Sequence, residues 1–236
     1  MHKPDSSPFR TVKHDADLCV VGGGISGLCA AIAAARHGAR VVLMHDRPVL
    51  GGNASSECRM HICGADRSGS LPHLRETGIL EELRLENLYR NPLRNFSMWD
   101  LVLYDILMRE PRIVPLLNCS CCDAEMDGRT ISAVTGWQTT TQTYHRARAR
   151  IFADCSGDSV LAPLTGAPVR IGRESRAEFG ESIAPEHADR RTMGMTCIFY
   201  TRQHDRPMPF RPPAWARVFE RCDELPWGEG NHAFWL

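Results

Sequence analysis

The sequence has no excess of charge in either direction: Lys plus Arg and Asp plus Glu number 28 each, for a formal net charge of zero. That balance gives no support to a nucleic-acid partner or to binding at an anionic membrane surface. An apolar secretory stretch is also lacking at the start, where Met1 to Asp17 holds Pro4, Pro8 and several charges. Internal repeats and low-complexity segments are absent. So are a Walker A sequence, a G-x-S-x-G nucleophile elbow and an H-x-x-x-H pattern. One long uncharged run does occur, Leu18 to Ala35. Its length suits a membrane helix. However, Gly22, Gly23, Gly24 and Gly27 interrupt its first half, and alanines fill much of the rest. A strand, a glycine turn and a buried helix are expected there instead.

Cysteine, by contrast, is plentiful: Cys19, Cys29, Cys58, Cys63, Cys119, Cys121, Cys122, Cys155, Cys197 and Cys222 in 236 residues. A secreted disulfide scaffold would be shorter and would carry a signal peptide. Several of these cysteines sit inside apolar patterns, as small buried hydrophobes do. A reduced, cytoplasmic chain is the expectation.

Along the chain, residues 1–15 read as a loosely packed leader. Asp17–Val21 reads as a strand, Ser26–His37 as a helix stopped by Gly38, and Val41–Met44 as a second buried strand. Strand, helix and strand within this span make one right-handed βαβ unit. Residues 49–72 read as a long loop. Helices are expected near Leu80–Leu88 and Trp99–Met108. A strand is expected from Ile113 to Leu117, continuing through Asn118–Cys122. Asp127-Gly128-Arg129 signals a hairpin, followed by strands at Thr130–Gln138, Thr143–Arg150 and Ile151–Cys155. The prolines at 207, 209, 212 and 213 mark residues 203–214 as a loop.

Gly22-Gly23-Gly24-Ile25-Ser26-Gly27 matches G-x-G-x-x-G, with a strand before it and a helix after it. Gly22 permits the tight turn, Gly24 lets a pyrophosphate approach the backbone, and Gly27 lets helix and strand pack closely. The diphosphate then rests on the positive end of the helix. The acid expected at the end of the second strand is displaced: His45 takes its place and Asp46 follows. Either could contact the adenosine ribose, and Asp46 is the choice because a carboxylate accepts from two hydroxyls; the alternative for Asp46 is a strand-end turn residue.

Three segments carry a resemblance. Asp17-Leu18-Cys19-Val20-Val21 with its glycine turn, Val49-Leu50-Gly51-Gly52-Asn53-Ala54, and Ala153-Asp154-Cys155-Ser156-Gly157-Asp158 resemble the FAD-dependent oxidoreductases. These belong to the glutathione-reductase-like flavoprotein superfamily and are relatives of the fumarate-reductase and thiazole-synthase folds. The resemblance implies an α/β fold: a Rossmann-like FAD-binding βαβ domain with a central parallel sheet, and an interrupted second, substrate region. It implies an FAD-binding domain over 16–170, with a helical insertion at 73–110 and a β-hairpin region at 123–150. Residues 171–236 would begin a substrate domain left incomplete, so the chain reads as a truncated member. By the same resemblance Gly22, Gly24, Ser26 and Gly27 cradle the pyrophosphate, and Asp46 and Arg47 lie by the adenosine. Gly52, Asn53, Ala54 and Ser55 lead toward the flavin, and Cys121 lies on the strand beside the adenine edge. Gly157 and Asp158 form the S-G-D version of the T-G-D motif, with Asp158 on a ribityl or ribose hydroxyl. A second role for Asp158 is a helix N-cap.

Glu57-Cys58-Arg59-Met60-His61 follows the Gly51-Gly52 loop. Arg59 is a candidate to stabilise an anion on flavin or substrate, and His61 a candidate for proton exchange; both are equally readable as structural loop residues. Cys58 lacks a C-x-x-C partner and reads as a buried thiol. Cys119, Cys121 and Cys122 share a strand that points neighbours to opposite faces, so no metal site is expected. The activity expected is hydride transfer between a small organic substrate and bound FAD. The alternatives are an NAD-dependent dehydrogenase, which would have a plain loop after the second strand, and a catalytically incompetent flavin-binding fragment.

Overall fold

Leu18–Val21 and Val41–Met44 are apolar at every position, and the structure, a computed structural model, buries all but Leu18 of them. It describes residues 8–63, 75–192, 202–209 and 211–221. In chain order the elements are β1 (Thr11–Asp15), β2 (Leu18–Val21), α1 (Ile25–Arg36), β3 (Val41–Met44), α2 (Gly78–Arg90) and α3 (Phe96–Met108). Then come β4 (Ile113–Leu116), β5 (Cys119–Asp127), β6 (Thr130–Gln138), β7 (Thr143–Arg148), β8 (Ile151–Asp154), α4 (Leu161–Thr165) and α5 (Arg176–Phe179). The chain divides into two compact units, Met1–Ile198 and Phe199–Leu236. All these elements lie in the first. The described residues of the second carry neither helix nor strand, in keeping with the proline-rich loop expected there. Expectations that fall on 1–7, 64–74, 193–201, 210 and 222–236 lie outside the described residues.

β2, β3, β4 and β8 form a parallel sheet in the order β4-β3-β2-β8. Its two central strands have no polar face because each is packed on both sides. Val20, Val41 and Leu43 join one core with Leu28 and Ile32 of α1, Leu83 of α2, and Trp99, Leu103 and Leu107 of α3. The alternate residues, Cys19, Val21, Val42 and Met44, join a second core with Cys119, Val134 and Ala147. Those partners come from a second sheet, ordered β1-β7-β6-β5, in which only the β1–β7 pair is parallel. Three layers result: helices, parallel sheet, mixed sheet. The period-two alternation sorts each strand's side chains between them. Each fully buried Leu or Val adds roughly 1.5–3 kcal/mol of hydrophobic stabilisation. Among the described residues no helix is long and apolar enough to cross a membrane; the uncharged run from Leu18 is β2, the glycine turn and α1.

Three sequence expectations change. Thr11–Asp15, read within a loose leader, is β1 and pairs with β7. The strand read as continuous from Ile113 to Cys122 is two strands in two sheets. The chain crosses between them at Asn118, whose φ of 52° is left-handed, a conformation that asparagine tolerates better than most residues. The strand read to Arg150 ends at Arg148. The expected hairpin is present: Asp127 pairs with Thr130, and Gly128 takes a φ of 58°.

Candidate functional site

The carboxyl ends of β2, β3 and β8 meet at one edge of the parallel sheet, the place where open α/β sheets take ligands. The Gly22 N–H donates to Met44 O at 2.8 Å and anchors the turn to β3. Gly22 has a φ of +104°, and a Cβ there would overlap the Cys155 carbonyl, so no other residue fits. A Cβ on Gly27 would overlap the Gly22 carbonyl. These two glycines therefore serve packing. Gly24 differs: it is the N-cap of α1, its φ is −63°, and a Cβ there meets nothing within 4 Å. No side chain caps α1 and no acid lies in its first turn. The leading amides of a twelve-residue helix thus face open space with their partial positive charge uncompensated.

His45 locks this turn from below. It is 4% exposed. The Gly23 N–H donates to His45 Nδ1 at 2.9 Å, so Nδ1 carries no proton. His45 Nε2 lies 3.0 Å from Val49 O and must donate to it. Both ring nitrogens are therefore committed, and the imidazole is neutral in one tautomer. Burial holds its pKa below the usual histidine value, against the opposing pull of the Asp46 carboxylate. The same ring joins the glycine turn to the loop after β3. Gly51 N–H adds a second link, donating to Gly23 O at 2.9 Å.

That loop, with a short 3-10 turn over Gly52–Ala54, is pinned from the helical layer. Trp99 Nε1 of α3 donates to Ala54 O at 3.0 Å, and the Ser56 N–H donates to Asp100 Oδ1 at 2.9 Å. On the far side, Asp154 at the end of β8 accepts from Ser156 N at 3.0 Å and from Leu161 N at 2.8 Å. Asp154, rather than Asp158, thereby caps the start of α4, and the cap role read as an alternative for Asp158 is not its own.

These segments enclose a cavity of about 520 Å³. Of the expected site residues, Gly22, Gly24, Ser26, Asp46, Arg47, Gly52, Asn53, Ala54, His61, Cys121, Gly157 and Asp158 line it together. Gly27, Ser55 and Arg59 do not. Ser55 is fully buried and its Oγ donates to Gly52 O at 2.7 Å, stiffening the loop. Arg59 Nε donates to Ser56 O at 3.0 Å.

The family model described as FAD dependent oxidoreductase matches residues 17–231. The chain belongs to that family. Its cofactor is FAD, and the site fits the diphosphate of such a cofactor: uncapped amides lie at the head of α1, with open space where a Cβ at Gly24 would point. No curated protein matches the chain in sequence. Among solved structures, THI4 of Thermovibrio ammonificans is 16% identical, with 74% of this chain and 76% of that one covered and a TM-score of 0.47. A geranylgeranyl bacteriochlorophyll reductase-like protein of Thermoplasma acidophilum is 14% identical over 69% of this chain, with a TM-score of 0.47. The myxobacterial chondrochloren halogenase CndH, an FAD-dependent enzyme, is 20% identical over 61% of this chain, with a TM-score of 0.44. The chain spans 45% of the length of the reductase-like protein and 38% of that of the halogenase.

In this FAD dependent oxidoreductase the thiols near the cavity are quiet. Burial pushes Cys19, Cys119 and Cys121 up to about 12, so they stay protonated and act as small apolar groups. Cys58 Sγ receives a long contact from Arg47 Nη1 at 3.6 Å, and the same Arg47 nitrogen donates to Glu57 at 3.2 Å. Sequence reasoning missed His45, Trp99 and Asp154 as supports of the site. His45 carried one usable signal, since it holds the strand-end position where an acid is usual. Trp99 carried none, because its partner is 45 residues away.

Proposed function

We propose that this flavin oxidoreductase transfers a hydride between a small organic substrate and its bound FAD. One observation carries the reading: a single cavity runs from the uncapped head of α1 at Gly24 to Met60, His61 and Ile62. In this reading the amides of Gly24 and Ser26 take the pyrophosphate while Gly22 holds the turn that presents them, and Asp46 and Arg47 take the adenosine, beside the β5 strand at Cys121. Gly52, Asn53 and Ala54 lead along the ribityl chain, and the Asp158 carboxylate accepts from its hydroxyls. FAD supplies the hydride-accepting ring; the protein supplies placement and field. His61, which lines both this cavity and its neighbour, exchanges a proton with the substrate. Arg59 does not line the cavity; its Nε holds Ser56 O.

The test is spectroscopic. Purified chain carries the visible absorption of oxidised flavin, which bleaches anaerobically with a donor from a panel of organic acids, alcohols and amines. His61→Gln keeps the flavin and slows bleaching by about 10²-fold, the scale of one general acid–base group. A colourless protein, or a bound flavin that no donor reduces, overturns the reading.

A further inference from the structure

A second cavity, of about 570 Å³, opens between α2, the start of α3 and the segment at Met60–Ile62. It shares Ala54, Met60, His61 and Ile62 with the cofactor cavity. Its size suits a small molecule. Its charged lining consists of Arg75, Glu81, Arg84 and Arg94 together with the shared His61. Arg75 pairs with Glu81. The guanidinium groups of Arg84 and Arg94 have no hydrogen-bond or ion-pair partner among the described residues, which leaves two cationic groups in excess in the cavity lining.

Their placement is built. Arg84 lies on α2 at spacings of three, four and seven from Asn87, Leu88 and Asn91, so these share a helix face. Arg94 sits at a φ of +51°, in the left-handed region, which costs an arginine free energy that only surrounding structure can repay. That structure is the buried Asn91. Its Nδ2 donates to Asn87 Oδ1 at 2.9 Å and to Asn95 O at 2.7 Å, and its Oδ1 accepts from Asn95 N at 2.8 Å. The Arg94 N–H donates to Asn91 O at 2.9 Å. The turn that presents Arg94 is thus fixed at both ends. Next to Arg84 on α2, Leu85 and Leu88 stand 52% and 62% exposed and line the cavity with Phe96, an apolar surface that gains by being covered.

We propose that this second cavity is the substrate site, and that Arg84 and Arg94 select an organic carboxylate with an apolar body. The guanidinium forks pair with the carboxylate, the apolar body covers Leu85 and Leu88, and the shared wall at His61 sets the ligand beside the flavin end of the first cavity. The assignment of the ligand's neighbour as flavin rests on the function proposed above; the charge selection does not.

Benzoate and benzamide probe it, since they differ in charge and little in shape. Titrated into the flavin-bound protein and followed by flavin difference absorption, benzoate binds about tenfold or more tighter than benzamide, the difference expected for hydrogen bonds to a charged group. In Arg84→Gln/Arg94→Gln that preference disappears, while flavin content and melting temperature stay as in the parent. Thermal-shift titration of protein stripped of flavin reads the same preference without any cofactor. Loss of flavin binding alone therefore refutes the proposed function, not the anion site. Equal binding of the two probes in both formats, or a double variant that still prefers benzoate, overturns the assignment.

Discussion

Acidification tests the His45 lock most directly. Neutral His45 accepts from the Gly23 N–H at 2.9 Å and donates to Val49 O at 3.0 Å. Protonation of Nδ1 replaces acceptance by two opposed N–H groups, inside a site where His45 is 4% exposed. Losing a buried hydrogen bond with its acceptor inverted costs about 1–3 kcal/mol, and flavin affinity then falls by roughly 5- to 150-fold. The direction follows from the pKa. Burial lowers it below 6.5 in the folded chain, so the unfolded chain binds the proton more readily. The contribution is complete above the unfolded value and is lost as pH falls from there through the folded one. Asp46 and Glu57 oppose the shift, whereas Arg47 adds to it. His45→Gln supplies the control: an amide oxygen for Gly23 and an amide N–H for Val49, with no titration. Flavin dissociation constants measured between about pH 5 and about pH 8, the range over which histidine charge changes, should rise on acidification in the parent and flatten in His45→Gln. A parent profile already flat, or a Gln variant that keeps the slope, refutes the lock.

Gly24→Val and Gly22→Val should part company. The first puts its side chain into open space, so the protein melts within a few degrees of the parent yet purifies without flavin. The second drives a Cβ into the Cys155 carbonyl at a φ of +104° and lowers stability by several kcal/mol, read as loss of soluble folded protein. Trp99→Phe keeps an aromatic ring but strips the donor from Ala54 O. It should cost about 1–3 kcal/mol in thermal denaturation and speed flavin release; an unchanged release rate argues against pinning of the loop by α3. Asn91→Ala removes three hydrogen bonds at a position 3% exposed. It should lower stability by about 3 kcal/mol and abolish the benzoate preference, which calorimetry and probe titration check together.

What the sequence by itself determined is what neighbours along the chain can enforce. The β2–turn–α1–β3 unit follows from apolar runs of the right length around Gly22, Gly24 and Gly27. The β5–β6 hairpin follows from Asp127-Gly128, where the turn needs a positive φ. Periodicity placed α2 and α3 but understated them: the first turn of α3 is capped by Asn95, outside the apolar pattern, and α2 begins at Gly78, ahead of its own. Only the tertiary structure decided the rest. His45 became a lock, and not a ribose ligand, because Gly23 lies over its ring across 22 positions of sequence. Asp154 took the cap from Asp158 because β8 ends with its carboxylate facing the α4 amides. Thr11–Asp15 became a strand because β7 offered an open edge. The arginine-lined cavity exists only where α2 folds back on α3. In each of these cases the deciding partner arrives by packing, and no local pattern records where packing will bring it.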